Sequence, residues 1–263
     1  MKKYRLLVIL LGVIVLFYLA RTVRNFTVKQ EIQTIKTEHF VVSYSGIYKS
    51  EAEKVSKHLE ENYAPIRENL KDVKHDVIKV FIYGYSHKFK AATGLKENTK
   101  GTSRGPNEFY FVWTSWFNSL FPDDPLKTAL HEFTHCVQLN ILIDKAKESI
   151  ITQDRATFEK EFDKKFKTEY PRWLWESISI FEAKEVNKLS VKYAKSKNLT
   201  LEELNKSNQI YNIGYTIIEY VTSKWGKESV AQLISSFGNI EKTLKVTPEE
   251  FEKGWIAFLE EKY

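Results

Sequence analysis

The sequence predicts an α+β fold: a small, mostly antiparallel sheet precedes a predominantly helical half, and an apolar helix stands in front of both. Three observations carry this. The stretches that read as strands all lie before residue 114, apolar side chains recur at helical spacing from residue 125 onward, and residues 6 to 20 bear no charge.

The N-terminal helix comes first. After Met1-Lys2-Lys3-Tyr4-Arg5 the chain runs uncharged from Leu6 to Ala20 and meets Arg21. Such a run is short for a bilayer span and long enough for the hydrophobic region of a signal peptide. No small-x-small cleavage site follows in Phe17-Tyr18-Leu19-Ala20-Arg21-Thr22-Val23-Arg24, so residues 1–30 are expected to be an uncleaved signal anchor. The earliest basic cluster should stay cytoplasmic, which would leave the folded part outside the cell membrane, or secreted if the segment is cleaved. Residues 1–30 hold six basic side chains and no acidic one, equal to the whole formal charge of +6. The remainder is balanced, so the basic pI gives no reason to expect a nucleic-acid partner.

The rest, residues 31–263, is long enough for one large domain, read as an α/β lobe (31–120) and a helical lobe (121–263). Within the first lobe Glu38–Tyr44 reads as a strand. Residues 49–70 form an amphipathic helix through Ala52, Val55, Leu59, Tyr63, Ile66 and Leu70, and Val77–Tyr83 is a second strand. Gly94–Gly105 is a loop and Asn107–Trp113 a third strand. In the second lobe Asp123-Asp124-Pro125 supplies a cap and an N1 proline. Leu126, Ala129, Leu130, Phe133, Val137 and Ile141 then continue a helix to about residue 143. A charged insert, Asp144–Tyr170, repeats Phe158, Phe162 and Phe166 at intervals of four, as a helix packing a narrow apolar stripe onto the domain, or as a lid over the cleft or a docking surface for a partner. Ser229–Phe237 and Pro248–Leu259 are further helices, the second opened by a Thr247/Glu250 capping box. The single cysteine, Cys136, excludes an internal disulfide framework and reads as a small buried hydrophobe.

The chemistry concentrates in His131-Glu132-Phe133-Thr134-His135. On a helix, residues four apart share a face, so the two imidazoles converge on one point where a Zn²⁺ fits. Glu132, beside the first histidine, is placed to take a proton from a water that the metal activates. A third ligand is needed. The metzincin extension would put glycine at 138 and histidine at 141, where this chain has Gln138 and Ile141. No histidine lies downstream of His135, since the others are His39, His58, His75 and His87. The third ligand should therefore be a carboxylate.

The stretch Trp173-Leu174-Trp175-Glu176-Ser177-Ile178-Ser179-Ile180-Phe181-Glu182 resembles the glutamate-ligand helix of the gluzincins, zinc peptidases of the peptidase MA clan, whose pattern is close to W-L-x-E-G-x-A-x-Y-x-E. The resemblance implies Glu176 as third ligand, with Glu182 the next choice; Ser177 and Ser179 replace the usual glycine and alanine. Tyr211-Asn212-Ile213-Gly214 is similar to the Y-x-x-G of gluzincin aminopeptidases, which implies that Tyr211, with Tyr215 behind it, donates a hydrogen bond to the oxyanion. The family's sheet further implies that the strand at 107–114 is an edge that takes up an extended peptide, unless its aromatics are simply core. The expectation is a membrane-anchored zinc metallopeptidase acting on peptides or proteins. His131, His135 and Glu176 would be its metal ligands, and Glu132 and Tyr211 its catalytic residues. The alternatives are a non-catalytic anchored zinc module for binding or assembly, and hydrolysis of a non-peptide amide.

Overall fold

The structure is a computed structural model that describes residues 9, 11–20, 23, 31–74, 76–96, 99–113 and 124–263. Residues 11–20 are helical and exposed, and no helix among the described residues is long and apolar enough to cross a membrane. Most of the flanks of the expected anchor, and Asp123, lie outside the described residues.

The strands are β1 (Ile32–Lys36), β2 (Phe40–Ser45), β3 (Ile78–Tyr83), β4 (Gly101–Ser103) and β5 (Glu108–Val112), in the spatial order β1-β2-β3-β5-β4. Helix α1 (Lys49–Leu70) joins β2 to β3, and α2 (Ser86–Thr93) follows β3. Then come α3 (Pro125–Lys147), α4 (Arg155–Glu169), α5 (Arg172–Glu182), α6 (Lys188–Lys195), α7 (Leu201–Lys206), α8 (Ile210–Trp225), α9 (Glu228–Ser235), α10 (Ile240–Leu244) and α11 (Pro248–Lys262).

The α+β class and the order of sheet before helices match the expectation, but the sheet is mixed. Only the outer pairs β1–β2 and β4–β5 are antiparallel, while β2–β3 and β3–β5 run parallel. The reason is the length of the connections. A 22-residue helix between β2 and β3 returns the chain to the end from which it started, as a parallel crossover requires. A second correction concerns the edge. The strand at 107–114 is internal, flanked by β3 and by β4. The outer strand on that side is β4, which lies within the stretch expected to be loop. Three residues containing a glycine carry too little periodicity to stand out.

Alternation makes one face of the sheet apolar. Phe40, Val42 and Tyr44, then Ile78, Val80 and Ile82, then Phe109 and Phe111 are all buried, and α1 and α3 pack across them. Phe40 meets Phe133 edge-on at 5.4 Å and Tyr63 stacks on Phe133 at 5.7 Å, so the motif helix is fixed to the sheet by its own third residue. A single apolar core runs from Phe40 to Leu259, shared by both expected lobes. Asp124 caps α3, its Oδ1 accepting from the Leu126 amide at 3.0 Å with Pro125 at N1, and Thr247 and Glu250 form a reciprocal capping box on α11.

Where α1 ends, Lys71 takes a left-handed conformation and Asp72 turns inward to Arg67, with Nη2–Oδ2 at 3.0 Å and both side chains 3 % exposed. Asn140 of α3 donates to the same carboxylate at 3.4 Å, so this ion pair ties α1 to the motif helix. Arg67→Ala strands a buried carboxylate and should cost about 3–5 kcal/mol of folding stability, read as a lower denaturation midpoint. A midpoint within experimental error of wild type would contradict that role.

Candidate metal centre

The ligand atoms come from two helices packed against each other. His131 and His135 lie one turn apart on α3, their rings edge-on with centroids 4.7 Å apart. Glu176 sits on α5. Its Oε2 is 3.2 Å from His131 Nε2 and 3.7 Å from His135 Nε2. All three side chains are buried, and their ligand atoms lie within 4.8 Å of one another, close enough to hold one metal ion. Separations of about 3.3 Å are what ligands about 2.0–2.1 Å from a common tetrahedral centre require.

The electrostatics fit a cation at this point. Burial opposes charge on His131, but hydrogen bonds to Glu176 and Glu185 hold it well above the usual histidine range. His135, lowered chiefly by burial, falls to about 4 and is neutral, the form that can ligate. Glu176 is held well below the carboxylate range by its two imidazoles, against the effect of burial. Glu176 thus carries negative charge beside both Nε2 atoms, where a cation would be favoured.

Glu182 is not part of the cluster. It accepts from Asn69 at 3.1 Å, and burial raises its pKa. Six residues beyond Glu176, it lies on a different face of α5.

Three partners of the cluster escaped sequence reasoning. The hydroxyl of Ser179, one turn beyond Glu176, lies 2.9 Å from His135 Nδ1. This gives a purpose to a serine that departs from the family pattern. Gln138 donates to Ser179 Oγ at 3.1 Å and accepts from the Tyr170 hydroxyl at 2.7 Å, so the hydroxyl is itself held. Glu185 reaches His131 Nδ1 at 3.0 Å. Trp175 covers His135 face to face at 3.9 Å and forms the wall of a 580 Å³ cleft with Phe166, Tyr170 and Arg172 that reaches Glu176. Phe166 belongs to the stripe of α4, so the charged insert does border the cleft, although no residue of α4 is fully buried.

Glu132 is buried, and its Oε2 has no hydrogen-bond partner among the described residues. Burial pushes its pKa up to about 8. Its neighbour is the outer strand: a Cβ on Gly101 of β4 would lie 2.4 Å from Glu132 Oε1. Gly101 therefore leaves room for the carboxylate. Gly101→Ala should displace Glu132 and, under the function proposed below, lower activity by about 10²-fold with metal content unchanged, since misplacement on the order of 1 Å costs that much. Full activity in this variant would show that the contact does not matter.

Tyr211, in the first turn of α8, has its ring 6.4 Å from that of His131 and under the Arg172 guanidinium at 5.6 Å. The residue is half-exposed, but desolvation of its hydroxyl, with Glu176 nearby, lifts that group to about 12, so it remains a donor. Tyr215 packs instead on Phe181 at 5.0 Å, away from the cluster. Gly214 explains the close approach of α8 to α5, because a Cβ there would meet Ser177 Oγ at 2.9 Å.

In comparisons with known proteins, no family model matches the chain and no curated protein matches it. The functional reading therefore rests on the geometry.

Proposed function

We propose that this protein is a zinc-dependent hydrolase, and more particularly a metallopeptidase of the gluzincin type. The observation that carries the reading is the convergence of His131 Nε2, His135 Nε2 and Glu176 Oε2 beside a buried carboxylate with an oxygen that has no partner among the described residues, at an outer strand of a sheet. Two imidazoles and one carboxylate are a donor set typical of catalytic zinc, which leaves room for a further ligand.

When bound, the ion supplies Lewis acidity that polarises a carbonyl and acidifies water. The protein's own groups do the rest. Glu132 takes a proton on Oε2 from the attacking water and passes it to the nitrogen of the leaving amine. The Tyr211 hydroxyl donates to the carbonyl oxygen as it gains negative charge, an interaction that strengthens in the transition state. The outer edge of β4 takes an extended peptide by backbone hydrogen bonds and lays its scissile bond past Glu132. The cleft walled by Phe166, Tyr170 and Trp175 accommodates a neighbouring substrate side chain.

The same reading keeps the uncharged run from Leu6 to Ala20 as a membrane tether, with the catalytic part facing outward. Recovery of the full chain in the soluble fraction of lysed cells would reject the tether and leave the hydrolase standing. The hydrolase is tested by metal analysis of the purified full chain and by assay on a mixed peptide library. We expect about one zinc per chain and cleavage that a chelator stops and serine or cysteine reagents do not.

A further inference from the structure

We propose that Glu185 is the positioning residue of this metal centre: the turn that closes α5 carries its carboxylate to Nδ1 of His131 and so fixes that imidazole with Nε2 toward the ion. The inference rests on the metallopeptidase reading and adds to it a group that lies outside every motif in the sequence. Helix α5 ends at Glu182, with Ala183 as C-cap. Lys184 then takes a left-handed conformation at φ 54°, and the amide of Glu185 returns to the carbonyl of Ile180 at 2.9 Å while that of Lys184 donates to Phe181 at 3.1 Å. This is the geometry of a Schellman turn, in which the second residue past the cap is folded back along the helix. The turn is pinned from the other side. Lys127, in the first turn of α3, donates from Nζ to the Lys184 carbonyl at 2.9 Å.

The consequence is that one short segment supplies a ligand and an orienting partner for each histidine. Glu176 faces both rings, Ser179 holds Nδ1 of His135 at 2.9 Å, and Glu185 holds Nδ1 of His131 at 3.0 Å. An imidazole presents Nε2 to a metal only while Nδ1 carries the proton, and an acceptor on Nδ1 fixes both the tautomer and the ring plane. The two histidines differ in how much else constrains them. His135 is stacked on Trp175 at 3.9 Å, whereas among the described residues the ring recorded against His131 besides His135 is that of Tyr211, tilted and 6.4 Å away. The orientation of His131 therefore falls to Glu185.

The test measures Zn²⁺ affinity of the full-length protein by competition with a chromophoric chelator, together with the visible absorption of the Co²⁺ form and the melting temperature of the metal-free form. We expect Glu185→Ala to weaken Zn²⁺ binding about 10–100-fold and to change the Co²⁺ spectrum. Glu185→Gln, whose amide oxygen can still accept from Nδ1, should fall between it and wild type. Lys184→Gly, which retains the left-handed turn, should stay within about twofold of wild type. Affinity within about twofold of wild type in Glu185→Ala with an unaltered Co²⁺ spectrum overturns the positioning role and leaves the metal centre intact. A lower melting temperature with unchanged affinity overturns it equally, since that is what a merely structural contact would give. If wild type binds no Zn²⁺ that His135→Ala abolishes, the metal centre itself fails and Glu185 with it.

Discussion

Glutamine at position 132 is expected to lower kcat for peptide hydrolysis by about 10²–10⁴-fold while zinc content stays at the wild-type level. The two side chains are nearly the same size, and none of the three ligand atoms belongs to residue 132, so the ion should be held as before. What changes is proton transfer. A carboxylate whose Oε2 has no partner among the described residues can accept a proton from water; an amide cannot. The expected loss is in kcat more than in KM, because the proton moves in the transition state. The comparison also decides between an enzyme and a non-catalytic zinc module. If wild type and Glu132→Gln retain zinc and cleave equally little across a peptide library, the hydrolase proposal is wrong.

Replacing the carboxylate ligand has a different signature. Glu176→Ala removes the one carboxylate that, among the described residues, faces both imidazoles, and we expect it to lose stoichiometric zinc and to fall to the activity of chelator-treated wild type. Added zinc should restore treated wild type and not the variant. Stability gives an independent readout: free zinc at about 100 times its dissociation constant should stabilise wild type by about 2.7 kcal/mol and leave the variant unmoved. A variant that keeps one tightly bound zinc would exclude Glu176 as a ligand.

Much of the helical half was legible because its signals are local. The cap at Asp124, the proline at 125 and the apolar spacing beyond them define α3 within a few residues, and Thr247 and Glu250 do the same for α11. The sheet was harder. Strands β2, β3 and β5 were readable from their β-branched and aromatic residues, but β1 is mostly exposed and β4 is three residues long. The direction of pairing was in principle recoverable: an amphipathic helix between two strands is the mark of a parallel crossover. Glu185 and Ser179 could not have been picked out, because each acts on an imidazole 54 or 44 residues away in the chain.

The sequence by itself determined that two imidazoles converge on one face of a helix, because a four-residue spacing converts to a common face with no help from the rest of the molecule. It also determined, through charge, that the basic excess belongs to the first thirty residues. Only the tertiary structure decided that Glu176 rather than Glu182 meets those imidazoles, that β4 borders Glu132, and that a helix-ending turn brings Glu185 behind His131. Those outcomes depend on how α5 and the sheet are packed against α3, and packing is set by the whole apolar core rather than by any stretch short enough to read as a pattern.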